Sequence, residues 1–307
     1  MRRREFILGA AFQPAAPSVS VPGSILVHEH ILVDFIGAEK ASRSRYSLDE
    51  VVRVARPKLE ALKPFGCQRL LEATPNFLGR DPRLLQRLED ATGIEIWTNT
   101  GIYGAANRSG VPAFTREESA LELAKRWIAE WKSGVEGRKP RFIKTAVNGF
   151  PLDLLDRKLV EASAIASLET DLPIASHTNG GGRAAEAQIE ILQKMKCRLD
   201  KFVWVHAQGE KDHAFHERAA RAGVWVEFDG MSEKSADWHR DCVLFMQKQG
   251  LLRRTLISQD SGWYHVGEPG GGHYRGYTFL YTDFLPMLPR EIWVTLLVEN
   301  PRRAFGA

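Results

Sequence analysis

From residue 24 onward the chain alternates between two hydrophobic periods. Short apolar, β-prone runs occupy residues 25–27, 69–72, 94–98, 142–147, 174–176, 202–205, 224–228 and 256–258. Between them, over 47–62, 80–90, 115–135, 153–168, 183–195, 213–222 and 237–249, apolar positions recur at three- and four-residue intervals, the spacing of a helix with one buried face. Two more such stretches, 279–288 and 290–298, close the chain. The first helical run opens on Ser47 with Glu50 three residues later, the pattern of a capping box. Strands alternating with helices predict parallel pairing through right-handed crossovers, and eight such units close into a barrel. The rival, an open doubly wound sheet, calls for a Gly-rich phosphate loop after the first strand, where this chain reads His28-Glu29-His30. The fold expected is therefore α/β, a single (β/α)8 TIM barrel spanning residues 23–307.

Composition adds exclusions to this picture. Of 307 residues, 44% are hydrophobic and 26% charged, the balance of a soluble globular chain with a large core. No stretch approaches the ~18 apolar residues of a membrane span. The net charge of +4 is too small and too dispersed to argue for a nucleic-acid partner. Three widely spaced cysteines, Cys67, Cys197 and Cys242, exclude a disulfide framework and a cysteine-based zinc knuckle, and read as small buried apolar residues. The segment 1–22 stands apart. Arg2-Arg3-Arg4-Glu5-Phe6-Ile7-Leu8 resembles a twin-arginine export signal, which predicts a periplasmic protein exported already folded; read as an ordinary basic start, it leaves the protein in the cytoplasm.

In a barrel the chemistry lies where the strands end. The ends of the predicted strands carry His28 and His30, Lys144, His177, His206 and Asp260. His28 and His30, two residues apart on an extended segment, point to the same side and can approach one ion. Imidazoles joined by a carboxylate suit zinc, manganese, iron or cobalt. A lysine in such company is disfavoured as an ammonium, because burial and neighbouring positive charge lower its pKa.

The segments Val27-His28-Glu29-His30, Phe142-Ile143-Lys144, Ser176-His177-Thr178, Val205-His206, Ser258-Gln259-Asp260 and Glu299-Asn300-Pro301-Arg302-Arg303-Ala304-Phe305 together resemble the phosphotriesterase family of the amidohydrolase superfamily, which includes phosphotriesterase-like lactonases. The resemblance implies a centre of two divalent ions, with zinc expected first. His28, His30 and Asp260 would hold the buried ion and His177 and His206 the exposed one. Lys144, carboxylated by CO2, would bridge them. It further implies hydrolysis of a small-molecule carbonyl ester by a hydroxide shared between the ions, with Asp260 taking the proton, and a homodimer.

Substrate choice falls to the loops. Tyr103 follows the third strand where lactonases of this family place an aromatic residue at the mouth. The eighth loop, with Trp263, Tyr264 and Tyr274, offers aromatic walls on a mobile backbone that can cap a pocket; His265 and His273 there could relay a proton, but each reads first as a surface loop residue. After the seventh strand, Glu227-Phe228-Asp229-Gly230 lacks the arginine that resembles acyl-homoserine lactonases, so lactones of another kind are expected. Phosphotriester or N-acyl amide hydrolysis, or a binding barrel without catalysis, are the alternatives. His213 and His216, beside Glu217 and Arg218, read as a solvated helix face rather than an auxiliary metal site.

Overall fold

The computed structural model describes residues 19–306, and the twin-arginine-like run lies outside the described residues. Eight parallel strands form the predicted barrel. β1 (Ser24–Glu29) pairs with β2 (Cys67–Glu72), and β2 with β3, which runs over Glu95–Trp97 and resumes as Asn99–Thr100. The series continues through β4 (Phe142–Val147), β5 (Ile174–Thr178), β6 (Phe202–Val205), β7 (Trp225–Phe228) and β8 (Thr255–Ile257). The Asp260 amide donates to the His28 carbonyl at 3.1 Å, carrying the chain beyond β8 back against β1.

Helices α1 (Leu48–Glu60), α2 (Pro82–Thr92), α3 (Ala120–Ser133), α4 (Leu154–Thr170), α5 (Gly181–Lys194), α6 (His213–Arg221) and α7 (Ala236–Lys248) separate successive strands. Their starts are written in the sequence. The Ser47 hydroxyl accepts the Glu50 amide, and Ser119 and Glu122 form a reciprocal capping box, satisfying amides that have no partner within the helix. Val51, Ala55 and Leu59 then recur at four-residue intervals on the buried face of α1.

The closing segment departs from expectation. Instead of two α-helices, Leu280–Phe284 and Thr295–Glu299 wind as π turns and Leu285–Met287 and Arg290–Ile292 as 3-10 turns, before α8 (Asn300–Phe305). Pro286 and Pro289 lack the amides a continuous α-helix would need here. Phe305 of α8 packs edge-on against Phe142, and with Ala304 joins Ile25, Leu71 and Trp225 in the apolar cluster filling the barrel where its strands begin. That plug leaves the opposite end of the barrel for polar chemistry.

Candidate metal centre

In β1, Ile25 and Val27 belong to the inner apolar cluster, so strict alternation would direct Glu29 inward next. The pairing with β2 instead shifts register between Leu26 and Glu29, a bulge that reverses the alternation. His28 and His30 thereby enter the barrel. Glu29 turns to the loop after β8, where its carboxylate accepts from the Ser258 hydroxyl and from the amides of Gln259 and Ser261. Burial pushes the Glu29 carboxyl up to about 8 despite those donors.

Two glycines let backbone crowd the site. At Gly101 (φ +119°) a Cβ would lie 2.1 Å from the Lys144 carbonyl oxygen, and at Gly262 (φ +102°) 1.7 Å from that of His30. Any other residue would push β3 from β4, or the eighth loop from β1. His206 and Asp260 hold left-handed backbone at φ 63° and 52°. Such geometry costs roughly 1–2 kcal/mol for a non-glycine residue, and here it aims both side chains across the barrel mouth.

All six residues singled out at strand ends line one cavity of about 60 Å3, together with Tyr103. His177 lies within β5 rather than after it. Asp260 Oδ1 is 3.1 Å from His30 Nε2 and 3.8 Å from His28 Nε2, and Lys144 Nζ is 3.3 Å from His28 Nε2. The rings of His177 and His206 stand 4.2 Å apart at 83°, and His28 is 5.2 Å from His206. The Tyr103 hydroxyl is 3.3 Å from His177 Nδ1.

The outward nitrogens of these rings are engaged. His28 Nδ1 meets Glu227 Oε1 at 2.8 Å and Asp229 Oδ2 at 3.3 Å, His30 Nδ1 meets Thr74 Oγ1 at 2.7 Å, and His206 Nδ1 meets Asp229 Oδ1. His177 Nε2 lies 3.1 Å from Asn179 Oδ1. A carboxylate behind an imidazole fixes the proton on the nitrogen that faces it and presents the other as a lone pair, the arrangement found around bound metals. Asp260 Oδ1 is buried without a hydrogen-bond donor, and the nearest donor atoms of His28, His30 and Asp260 all lie within 4.8 Å of one another. This donor set fits divalent ions.

Burial dominates the electrostatics. It lowers His28 to about 4 and also lowers Lys144, His30 and His177, favouring neutral nitrogens. Burial likewise pushes Glu227 well up, reinforced by neighbouring Asp229. Burial opposes ionisation of Asp229 as well, yet His206 and His28 hold it well below the carboxylate range. Asp260 is held low against burial by His28 and His30.

Glu227, Asp229, Thr74 and Asn179 were not among the candidates from sequence. For β7 a signal existed: Trp225 and Glu227 alternate inward, and a carboxylate on the inner face of a barrel needs a partner. The eighth loop also differs from expectation. Tyr274 and Tyr277 are buried and bonded to each other at 2.5 Å, with the Tyr277 hydroxyl donating to the His30 carbonyl at 2.7 Å. They brace β1 rather than wall the cavity. His265 pairs as a short strand with Val33, and His273 lines a separate surface cleft with Tyr274 and Arg275. Of this loop, Trp263 reaches the cavity, its ring 3.9 Å from His30.

Replacing Asp229 by Asn should leave the fold intact and weaken ion binding about 10–100-fold, because His206 and His28 lose the charge that orients them. Titration with a metal buffer measures this. Unchanged affinity would remove Asp229 from the orienting role.

The sequence model of the phosphotriesterase family matches residues 11–305. An aryldialkylphosphatase of Saccharolobus solfataricus is 26% identical over 303 residues, covering 92% of this chain and 95% of that protein. The N-acetyltaurine hydrolase of Mus musculus is 27% identical over 289 residues, covering 85% and 79%. Among solved structures, a double mutant of the organophosphorus hydrolase from Deinococcus radiodurans shares the fold with a TM-score of 0.81 at 24% identity, covering 92% of each chain.

Proposed function

The chain belongs to the phosphotriesterase family, and from that premise we propose that it is a metal-dependent hydrolase of small, neutral carboxylic esters, with a lactone the best fit. The observation carrying this reading is the cavity lining. Phe35, Ala73, Pro75, Leu78, Tyr103 and Trp263 surround the six polar residues, and Lys144 is the only lysine or arginine among the lining residues. Besides Lys144, no lysine or arginine of the lining could pair with a sulfonate or carboxylate, so an anionic group would have only the bound ions as partners.

His28, His30 and Asp260 would hold one divalent ion and His177 and His206 the other, with Lys144 between them as a carbamate. When bound, the ions would lower the pKa of a coordinated water and polarise a carbonyl oxygen. Lys144 can take its part because burial favours the neutral amine, whose lone pair reacts with CO2 as its proton leaves to solvent. Asp260, ionised and without a donor at Oδ1, accepts the proton given up by the attacking water and returns it to the leaving alkoxide. Tyr103 keeps its proton, since burial and then Asp260 raise its pKa, and so it donates a hydrogen bond to a substrate oxygen beside His177. Trp263 and Phe35, 6.0 Å apart and stacked, form an aromatic wall of the cavity.

Growth with zinc or manganese and bicarbonate should yield at least two divalent ions per chain, and chelation should abolish hydrolysis until the ions are returned. The absence of bound ions would overturn the centre. Steady-state kinetics on small lactones, N-acyl amino acids including N-acetyltaurine, and aryl phosphotriesters tests the substrate. We expect the highest kcat/KM on a lactone, with long-chain acyl-homoserine lactones weaker and phosphotriesters slow. A higher kcat/KM for either other class would replace the substrate and leave the centre standing. Bound ions with no hydrolysis of any class would favour a binding barrel.

A further inference from the structure

The expectation of a solvated face for His213 and His216 does not hold: His216 and Cys242 of the adjacent helix are fully buried, and His213 is partly so. We propose that His213 and His216 of α6 and Cys242 of α7 form a second metal site, for a thiophilic divalent ion such as zinc, clipping the two helices together behind the loop that carries His206. The Nδ1 atoms of the two histidines are 3.1 Å apart, and one ligand atom from each of the three residues lies within 4.8 Å of the others. Two nitrogens on one tetrahedral zinc ion are about 3.3 Å apart, given zinc–nitrogen distances of about 2.0–2.1 Å.

The tautomers agree with this. His216 Nε2 faces the Ala207 carbonyl oxygen at 2.8 Å, and a carbonyl only accepts, so the proton sits on Nε2 and Nδ1 presents its lone pair to the cluster. His213 is clamped in plane, its ring 4.3 Å from Phe245 at 7° and 4.9 Å from Trp238 at 19°. Its partial exposure gives an ion a path inward and leaves room for water as a fourth ligand. The other cysteines direct their thiols at backbone carbonyls, of Arg69 for Cys67 and of Arg198 for Cys197.

Burial pushes the Cys242 thiol up to about 12, so without an ion it is protonated and unreactive. On binding, the S–H bond is exchanged for a sulfur–metal bond, the proton goes to solvent, and His213 shifts its proton from Nδ1 to Nε2. One imidazole pair with a thiolate selects zinc-type ions over magnesium or calcium. The consequence reaches the candidate centre through the backbone. His216 holds the Ala207 carbonyl and Trp238 the Gln208 carbonyl at 2.8 Å, the two residues that follow His206. An ion on His213 and His216 would stiffen that turn.

The test is a cobalt titration of the metal-free full-length protein, read by the near-ultraviolet charge-transfer band of a cobalt–thiolate bond. No cysteine lines the candidate centre, so ions bound there do not contribute to the band. We expect the wild-type protein to develop the band, Cys242→Ser to lose it together with one ion per chain, and His30→Ala to keep it. In the same samples zinc should raise the Tm of the wild type above that of Cys242→Ser. A wild-type protein without the band at excess cobalt overturns the proposal, whatever the variants do. So does a band that survives in Cys242→Ser, which would place the thiolate at Cys67 or Cys197. Failure of the binuclear reading would instead appear as too few ions in Cys242→Ser, with the wild-type band intact.

Discussion

Replacing Lys144 by alanine is expected to abolish hydrolysis, by about 1,000-fold or more, and millimolar acetate or propionate to restore a measurable fraction. Lys144 is buried, with Nζ 3.3 Å from His28 Nε2, and truncation opens a space among ligand-type residues that no other side chain fills. A short carboxylic acid entering that space supplies the anionic oxygens a carbamate would have carried. Each tenfold loss corresponds to 1.36 kcal/mol of barrier, so the expected loss exceeds about 4 kcal/mol. The measurement is kcat against acid concentration for the variant at saturating zinc. A lysine serving only in ion pairs with buried Glu227 and Asp260 would leave much of the activity in place and show no response to acid.

Asp260→Asn is expected to lower kcat by about 100- to 10,000-fold, the range for removing a positioned acid–base group. Asparagine preserves shape and one acceptor oxygen but carries no charge and holds no proton. Because Asp260 Oδ1 lies 3.1 Å from His30 Nε2, the same change should loosen the ion that His30 helps to hold, so kcat must be compared at full metal occupancy. Loss that disappears when ions are supplied in excess would reduce Asp260 to a ligand. Loss that persists assigns it the proton as well. Activity within tenfold of wild type at every metal concentration would exclude both roles.

Much of this protein is legible in its residue order. Eight apolar runs and the helices between them follow from period alone, because a strand repeats every two residues and a helix every 3.6, and each must turn its apolar positions inward. Parallel connection then leaves one place where strand ends meet, and His28, His30, Lys144, His177, His206 and Asp260 all arrive there. What period could not reveal depends on contacts between distant segments. Strict alternation would have sent Glu29 inward, and a bulge against β2 sends His28 and His30 instead. Proline-rich order at 285–289 broke two expected helices into π and 3-10 turns. Glu227, Asp229 and Thr74 acquire meaning only because folding sets them behind imidazoles up to 199 residues away along the chain. His213, His216 and Cys242 read as a polar helix face and a buried thiol until α6 and α7 pack, since residues on separate helices converge only through that packing. Period is a property of neighbours in sequence and survives in any context, whereas the charge, tautomer and reach of a side chain are set by what lies within a few ångströms of it, which only the folded chain decides.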